Sequence, residues 1–265
     1  SRLKKKIKSE LEQMLKNNRE DYQKFYEQFK RPLKFGMYDN YGADKDFLVD
    51  LILFSSSTQE QPTTLQEYVD RMKEDQKYIY YACGESNEKI AKLPQVEAVR
   101  EEGHEILYFT EDVDEFAIKV LGKFAEKEFR SVSDAASETK EESAQEEHKD
   151  LFAFLKDALG DQVAEVKGTT RLKSHPVCLS STGEISLEME KVLNAMPNDH
   201  KVKAQRVLEL NVNHPLFVSL QKMQTENPDK LKKYANVLYN CALLMEGMPI
   251  DDPVAFSNDT CDLIQ

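Results

Sequence analysis

The chain has 265 residues, of which 40% are apolar and 32% charged, with only 9 Gly and 9 Pro. So few turn formers exclude a sandwich or barrel of many short strands, and the abundance of Lys, Glu and Leu favours helices. Acids outnumber Lys and Arg 48 to 36, a net charge of -12 that excludes a dedicated nucleic-acid binder, and no apolar run approaches the roughly 20 residues that span a bilayer.

In chain order, Leu3, Ile7, Leu11, Met14 and Leu15, then Tyr22, Phe25, Tyr26 and Phe29, recur at three- and four-residue spacing. They predict helix from Leu3 to Phe29, broken at Asn17-Asn18. Arg31-Pro32 is expected to end it, because the residue before proline resists the α region. Gly36 to Asp44 reads as a loop, Phe47 to Phe54 as a buried helix and Ser55 to Thr64 as a polar connector. Thr64 and Glu67 form a capping-box pattern that opens a short helix. Lys77 to Ala82 is rich in β-formers and reads as a strand. Helices over Ser86 to Leu93 and Gln95 to Glu102 are divided by Pro94. The continuous apolar run Ile106 to Phe109 suits a buried parallel strand. Thr110 reads as the cap of a helix over Asp112 to Leu121, and Lys127 to Val132 as an edge strand. This order predicts a right-handed βαβ unit.

Asp134 to Lys149 is acidic and almost free of apolar residues. It reads as a boundary, either a linker or a solvated helix start. Beyond it the pattern gives a helix from Asp150 to Leu159 closed by Gly160, strands over Val163 to Thr170 and Val177 to Leu179, an amphipathic helix from Ile185 to Met196, and a strand from Arg206 to Asn211. His214-Pro215 reads as a turn, followed by helices over Leu216 to Met223 and Lys230 to Met245. Asp252-Pro253 provides a cap and first position for a last helix reaching Ile264. The fold class is therefore α/β (α+β). A helical stretch over 1–60 leads into a small α/β unit over 61–133, and a mixed α+β domain over 150–265 ends in helices.

Chemistry-bearing motifs are absent: no Gly-rich phosphate loop, no nucleophile elbow and no paired-His metal motif occurs. Cys83, Cys178, Cys241 and Cys261 lie far apart, which indicates neither a zinc site nor a disulfide framework and makes a reducing compartment the default. The enzyme alternative rests on Cys83 served by His104, or on an acid pair such as Glu101-Glu102 or Asp251-Asp252. Two features suit binding. Ile185, Met189, Val192, Leu193 and Met196 share one helical face, which either packs in a core or offers an adaptable apolar surface to other chains. Leu231, Tyr234, Ala235, Leu238, Ala242 and Met245 form a stripe that, with the last helix, either closes a domain or pairs with a second copy. Phe116 on Asp114-Glu115-Phe116 is either core or an exposed anchor.

The run Tyr68-Val69, Arg71-Met72-Lys73-Glu74, Gln76-Lys77 and Ile79-Tyr80-Tyr81 resembles a long signature of the ninety-kilodalton heat-shock chaperone family in its bacterial form. The likeness continues through Glu105-Ile106-Leu107, Asp114-Glu115-Phe116, Arg171-Leu172, Leu208-Glu209-Leu210-Asn211 and Asp252-Pro253. It implies a dimeric, ATP-driven cytoplasmic chaperone of which this chain is the end of the middle segment and the C-terminal dimerisation domain. ATP, magnesium and the catalytic arginine would then belong upstream, leaving this piece no cofactor and no enzymatic activity. The resemblance places client contacts at Glu115, Phe116 and Lys119, and at Ile185, Met189, Val192, Leu193 and Met196. Dimer contacts fall on Leu231, Tyr234, Ala235, Leu238, Ala242, Met245, Phe256 and Leu263. Partners are a second copy and partly unfolded clients, with neither nucleic acid nor membrane.

Overall fold

A computed structural model describes residues 2–134, 145–197 and 201–264. Most of the expected boundary, 135–144, lies outside the described residues. The chain divides into two compact units, residues 1–90 with 102–131, and residues 91–101 with 132–265.

The first unit begins with α1 (Arg2–Asn17) and α2 (Arg19–Gly42). Helix α2 runs through Pro32 rather than stopping there. One lost hydrogen bond is outweighed by the buried face of Tyr22, Tyr26, Lys34 and Met37 on both sides of the proline. The helix breaks at Asp39, and Asn40 and Tyr41 take left-handed conformations at φ 47° and 57°. Gly42 follows at φ 78°, where a Cβ would lie 2.4 Å from Val120 Cγ1, so the turn needs glycine for conformation and for space.

Phe47 to Phe54 is not one helix. Helix α3 (Lys45–Leu48) and a 3-10 turn over Val49–Leu51 lead into extended backbone and β1 (Ser55–Ser56). The hydroxyls of Tyr22 and Tyr26 donate to the carbonyls of Leu51 and Leu53, the latter at 2.9 Å, so α2 takes two acceptors that a continuing helix would have used. Helix α4 (Leu65–Arg71) starts on the expected capping box, with Glu67 N donating to Thr64 Oγ1 at 3.1 Å and Thr64 N to Glu67 Oε2 at 2.8 Å.

Strand β2 (Tyr78–Cys83), α5 (Asn87–Ile90), α6 (Pro94–Glu101), β3 (Ile106–Phe109), α7 (Asp114–Leu121), β4 (Lys123–Phe124) and β5 (Lys127–Ser131) follow, α6 belonging to the second unit. The sheet order is β1-β3-β2-β5-β4, parallel through β3, β2 and β5 and antiparallel at both outer pairs. Strand β5 is thus interior rather than an edge, because the two-residue β4 covers it. Thr110 does not cap α7. Val113 holds the cap position, and Asp114 Oδ2 accepts from Glu111 N at 3.1 Å instead. Tyr81 stacks on Phe109 at 4.7 Å in the core.

The second unit holds α6, α8 (Lys149–Leu159), β6 (Glu165–Thr169), β7 (Val177–Thr182), α9 (Leu187–Ala195), β8 (Gln205–Asn211), α10 (Pro215–Glu226), α11 (Pro228–Met245) and α12 (Pro253–Ile264). Strand β8 is central, parallel to β6 and antiparallel to β7. Helices α8, α10 and α11 bury Leu151, Phe152, Phe217, Leu220, Leu231 and Tyr239 in one core with Leu179, Leu208 and Leu210 of the sheet. His214 acts as an N-cap, its Nδ1 accepting from Leu216 N at 3.1 Å, and Asp252 Oδ1 caps α12 through Ala255 N at 2.9 Å. From α6, the Gln95 amide donates to Leu179 O at 2.7 Å and to Glu246 Oε1 at 2.8 Å. Burial pushes the Glu246 carboxyl up to about 7.

Candidate functional site

Helix α9 opens on Ser186, whose Oγ accepts from Met189 N at 3.0 Å. Its buried residues are Leu187 and the acid Glu190. Glu190 Oε2 accepts from Ala204 N at 2.9 Å and from Arg206 Nε at 3.3 Å, and Arg206 Nη2 bonds the other oxygen. Arg206 Nη1 donates to Tyr239 Oη at 2.5 Å, and that hydroxyl donates to Gln162 O at 3.2 Å. Asn194 closes the far end, donating to Val202 O at 2.8 Å and accepting from Val202 N at 2.9 Å. Lys191 Nζ reaches Glu246 O at 3.0 Å.

These bonds turn the polar side of α9 inward. Of the predicted apolar face, Ile185 packs on the edge of the core. Met189, Val192 and Leu193 stay half-exposed, and Met196 is 46% exposed. Periodicity places these residues on one face but does not say which face is covered. The deciding groups are a buried carboxylate and a guanidinium far away in sequence.

The expected trio on α7 is divided. Lys119 is exposed and Phe116 half-buried. Glu115 is only 2% exposed and accepts from Tyr81 Oη at 2.8 Å. This corrects the expectation for Glu115, because Asp114, Glu115, Ala117, Ile118 and Leu121 form the inward face of the helix. Asp114 pairs there with Lys34 at 2.6 Å, and burial holds its carboxyl above the usual carboxylate range in spite of that lysine.

The terminal stripe is divided as well. Leu231, Ala235, Leu238 and Ala242 are buried in the core of their own unit, and Tyr234 and Met245 pack against it. The four buried residues close their own domain, and Tyr234 and Met245 keep a partly open side. The exposed apolar surface lies elsewhere, on residues the pattern did not single out: Leu244 at 53% and Val254 at 70% exposure. Phe256 and Leu263 are half-buried, and no described residue of α12 is buried.

The residues of the enzyme alternative are not brought together. Cys83 lies at the end of β2 opposite Phe109, while the His104 ring stacks on Tyr80 at 5.2 Å, three residues and so about 10 Å back along the strand. Glu101 pairs with Lys173 at 3.4 Å and Asp252 is a helix cap. Among the described residues, no three His, Cys, Asp or Glu gather as metal ligands, and no helix is long and apolar enough to cross a membrane.

The sequence matches the Hsp90 protein family over residues 1–265. The chain belongs to that family. It is 57% identical over 269 residues to the Chaperone protein HtpG of Clostridium acetobutylicum, an alignment covering 100% of this chain and 43% of that protein. The HtpG proteins of Clostridium perfringens and Alkaliphilus metalliredigens are 56% and 54% identical, each over 99% of this chain and 43% of their own length. The chain thus spans less than half the length of these curated relatives. Membership makes it a chaperone-family chain, and the reading as a small enzyme built on Cys83 or an acid pair is not supported.

Proposed function

We propose that the chain is the part of a dimeric chaperone that pairs two protomers and holds partly folded client proteins. One observation carries the reading: α9 buries the acid Glu190 beside Leu187, while Met189, Val192 and Leu193 stay only half-buried and Met196 is exposed, more apolar surface than a helix that serves only its own core leaves open. Two methionines with Val192 and Leu193 make a polarisable surface that adapts to many apolar side chains and selects weakly among them. The net charge of -12 favours basic, unfolded partners. Phe116 adds an aromatic contact in the first unit.

Self-association is assigned to the outer face of the last two helices, centred on Leu244 and Val254, with Phe256 and Leu263 alongside. A second copy laid on this face would complete a four-helix contact. On this reading the whole protein works in the cytoplasm and turns over magnesium-bound ATP at residues other than these. The turn after β2 does not fit a nucleotide: Gly84 N is already committed to Phe109 O at 3.1 Å, and Glu85 stands where phosphates need donors.

The test is a pair of variants in the 265-residue chain. Met189→Asp should weaken capture of a permanently unfolded protein, such as reduced and carboxymethylated lactalbumin, by about tenfold, a loss of about 1.4 kcal/mol. Its sedimentation should not change. Val254→Asp should give monomers. Equal capture by Met189→Asp and the parent would discard the client surface, and an unchanged sedimentation coefficient for Val254→Asp would discard the interface.

A further inference from the structure

Helix α6 is set firmly into the second unit, with Pro94, Gln95, Val96, Ala98 and Val99 buried. Glu97, Arg100 and Glu101 are left on its outer side. The loop between β6 and β7 lies opposite. Asn211, only 1% exposed, fixes that loop, its Nδ2 donating to Lys173 O at 3.2 Å and to His175 O at 3.0 Å. From the loop, Ser174 Oγ donates to Glu97 Oε2 at 2.8 Å, and His175 Nδ1 lies 3.4 Å from the same oxygen. Helix and loop wall a cleft of about 630 Å³. Ala91 and Leu93 are its apolar part, and the exposed Lys92, Arg100 and Glu101 also line it.

We propose that this cleft docks an acidic segment of a partner protein, with carboxylates met by Lys92 and Arg100 and an apolar side chain met by Ala91 and Leu93. Its residues are separate from those assigned above to clients and to self-association.

Charge selects the occupant. The chain carries a net -12, yet at this cleft the cations Lys92, Arg100 and Lys173 stand against only Glu97 and Glu101, and His175 adds a positive charge when protonated. Both acids are already engaged. Ser174 bonds both oxygens of Glu97 and holds its carboxyl below the usual carboxylate range, with His175 helping. Glu101 pairs with Lys173 at 3.4 Å. Lys92 and Arg100, by contrast, have no hydrogen bond or ion pair among the described residues, so their charges are left for a ligand. One exposed ion pair contributes little in water. A small carboxylate or phosphate therefore gains too few contacts here, whereas a polypeptide joins several such pairs to an apolar contact. A nucleic-acid strand fits less well, because its evenly repeated phosphates cannot avoid Glu97 and Glu101. A peptide can set uncharged residues at those two positions.

The experiment measures fluorescence anisotropy of three labelled twelve-residue peptides with the 265-residue chain, at about 50 mM and about 300 mM sodium chloride. The first peptide carries Asp and Glu on either side of a central Leu. The second has Asn and Gln in place of the acids, and the third has Lys. The first should bind at least tenfold more tightly than the other two, and at least fivefold more weakly at the higher salt. Lys92→Ala and Arg100→Ala should each weaken it at least threefold. Arg100→Lys, which keeps the charge, should bind it like the parent and so separates loss of charge from loss of fold. Met189→Ser should also bind it like the parent. If Lys92→Ala and Arg100→Ala both bind the first peptide like the parent, or if the uncharged peptide binds as tightly as the acidic one, the site is refuted. Displacement of the peptide by phosphate or citrate, where sodium chloride of equal ionic strength has no effect, would make the cleft a small-anion site and overturn the polypeptide occupant. Tighter binding of a twelve-nucleotide single strand would overturn it in favour of nucleic acid. Equal weakening by Met189→Ser and Arg100→Ala would move the peptide onto α9, and the cleft would lose its role while the client surface kept its own.

Discussion

The anchor of α9 is the place where a single substitution tests the most reasoning. Glu190→Gln keeps the side-chain shape and one acceptor oxygen but removes the charge that Arg206 faces. Glu190 is buried and the Arg206 side chain is 12% exposed, and among the described residues the guanidinium's further partner is the Tyr239 hydroxyl. Removing one member of a buried pair costs about 3–5 kcal/mol, because the other charge stays desolvated and uncompensated. The retained amide oxygen can still accept from Ala204 N, which places the expected loss at the lower end, about 3 kcal/mol. Replacing both partners, Glu190→Met with Arg206→Met, removes the desolvation penalty together with the pair and should cost about 1 kcal/mol or less. The assay is urea unfolding of the 265-residue chain, read at α9 by hydrogen exchange and globally by circular dichroism, for Glu190→Gln, for Glu190→Met and Arg206→Met singly, and for the double. A loss below about 1 kcal/mol for Glu190→Gln, or a double variant as unstable as the sum of the singles, would show that the pair does not hold the helix. The inward turn of the polar side would then need another cause.

Four further outcomes are expected. Thr64→Ala removes the acceptor for Glu67 N and should cost about 1 kcal/mol in denaturant unfolding. Lys34→Met leaves Asp114 buried beside α2 without its cation and should cost about 3 kcal/mol or more, whereas Lys34→Met with Asp114→Leu should recover most of it. Glu246 has a folded-state value near 7 against 4.5 for the free carboxyl, so folding favours its protonated form; the stability this contributes is complete below about pH 4.5 and is lost as pH rises to about 7. That loss amounts to about 3 kcal/mol, and Glu246→Gln should abolish it when stability is compared at pH 5 and pH 8. Leu238→Asp should unfold the second unit, since Leu238 lies in its own core, while Val254→Asp should leave the unit folded and alter only its self-association, as circular dichroism and sedimentation together would record.

Much of the architecture is legible in the amino-acid order because local chemistry determines it. The strands at Tyr78–Cys83 and Ile106–Phe109 follow from β-branched and aromatic runs, and the starts of α4 and α12 follow from Thr64 with Glu67 and from Asp252 with Pro253. The helix over Leu187–Ala195 and the existence of its apolar face follow from spacing alone. The course of α2 past Pro32 does not, since its support comes from the burial of Lys34 and Met37, and the partner of Lys34, Asp114, is supplied by a helix far later in the chain. Nor do β1 and β4, each too short to leave a pattern.

The candidate site divides along the same line. Composition and periodicity name Met189, Val192, Leu193 and Leu238 as apolar residues sharing helical faces, and they say nothing about which faces are covered. That choice is made by groups distant in sequence. The Arg206 guanidinium draws Glu190 inward and leaves Met189 and Val192 toward water, whereas the sheet and α8 enclose Leu238. A helix has one period but two sides, and only the energy of burying particular partners against each other decides which side meets solvent.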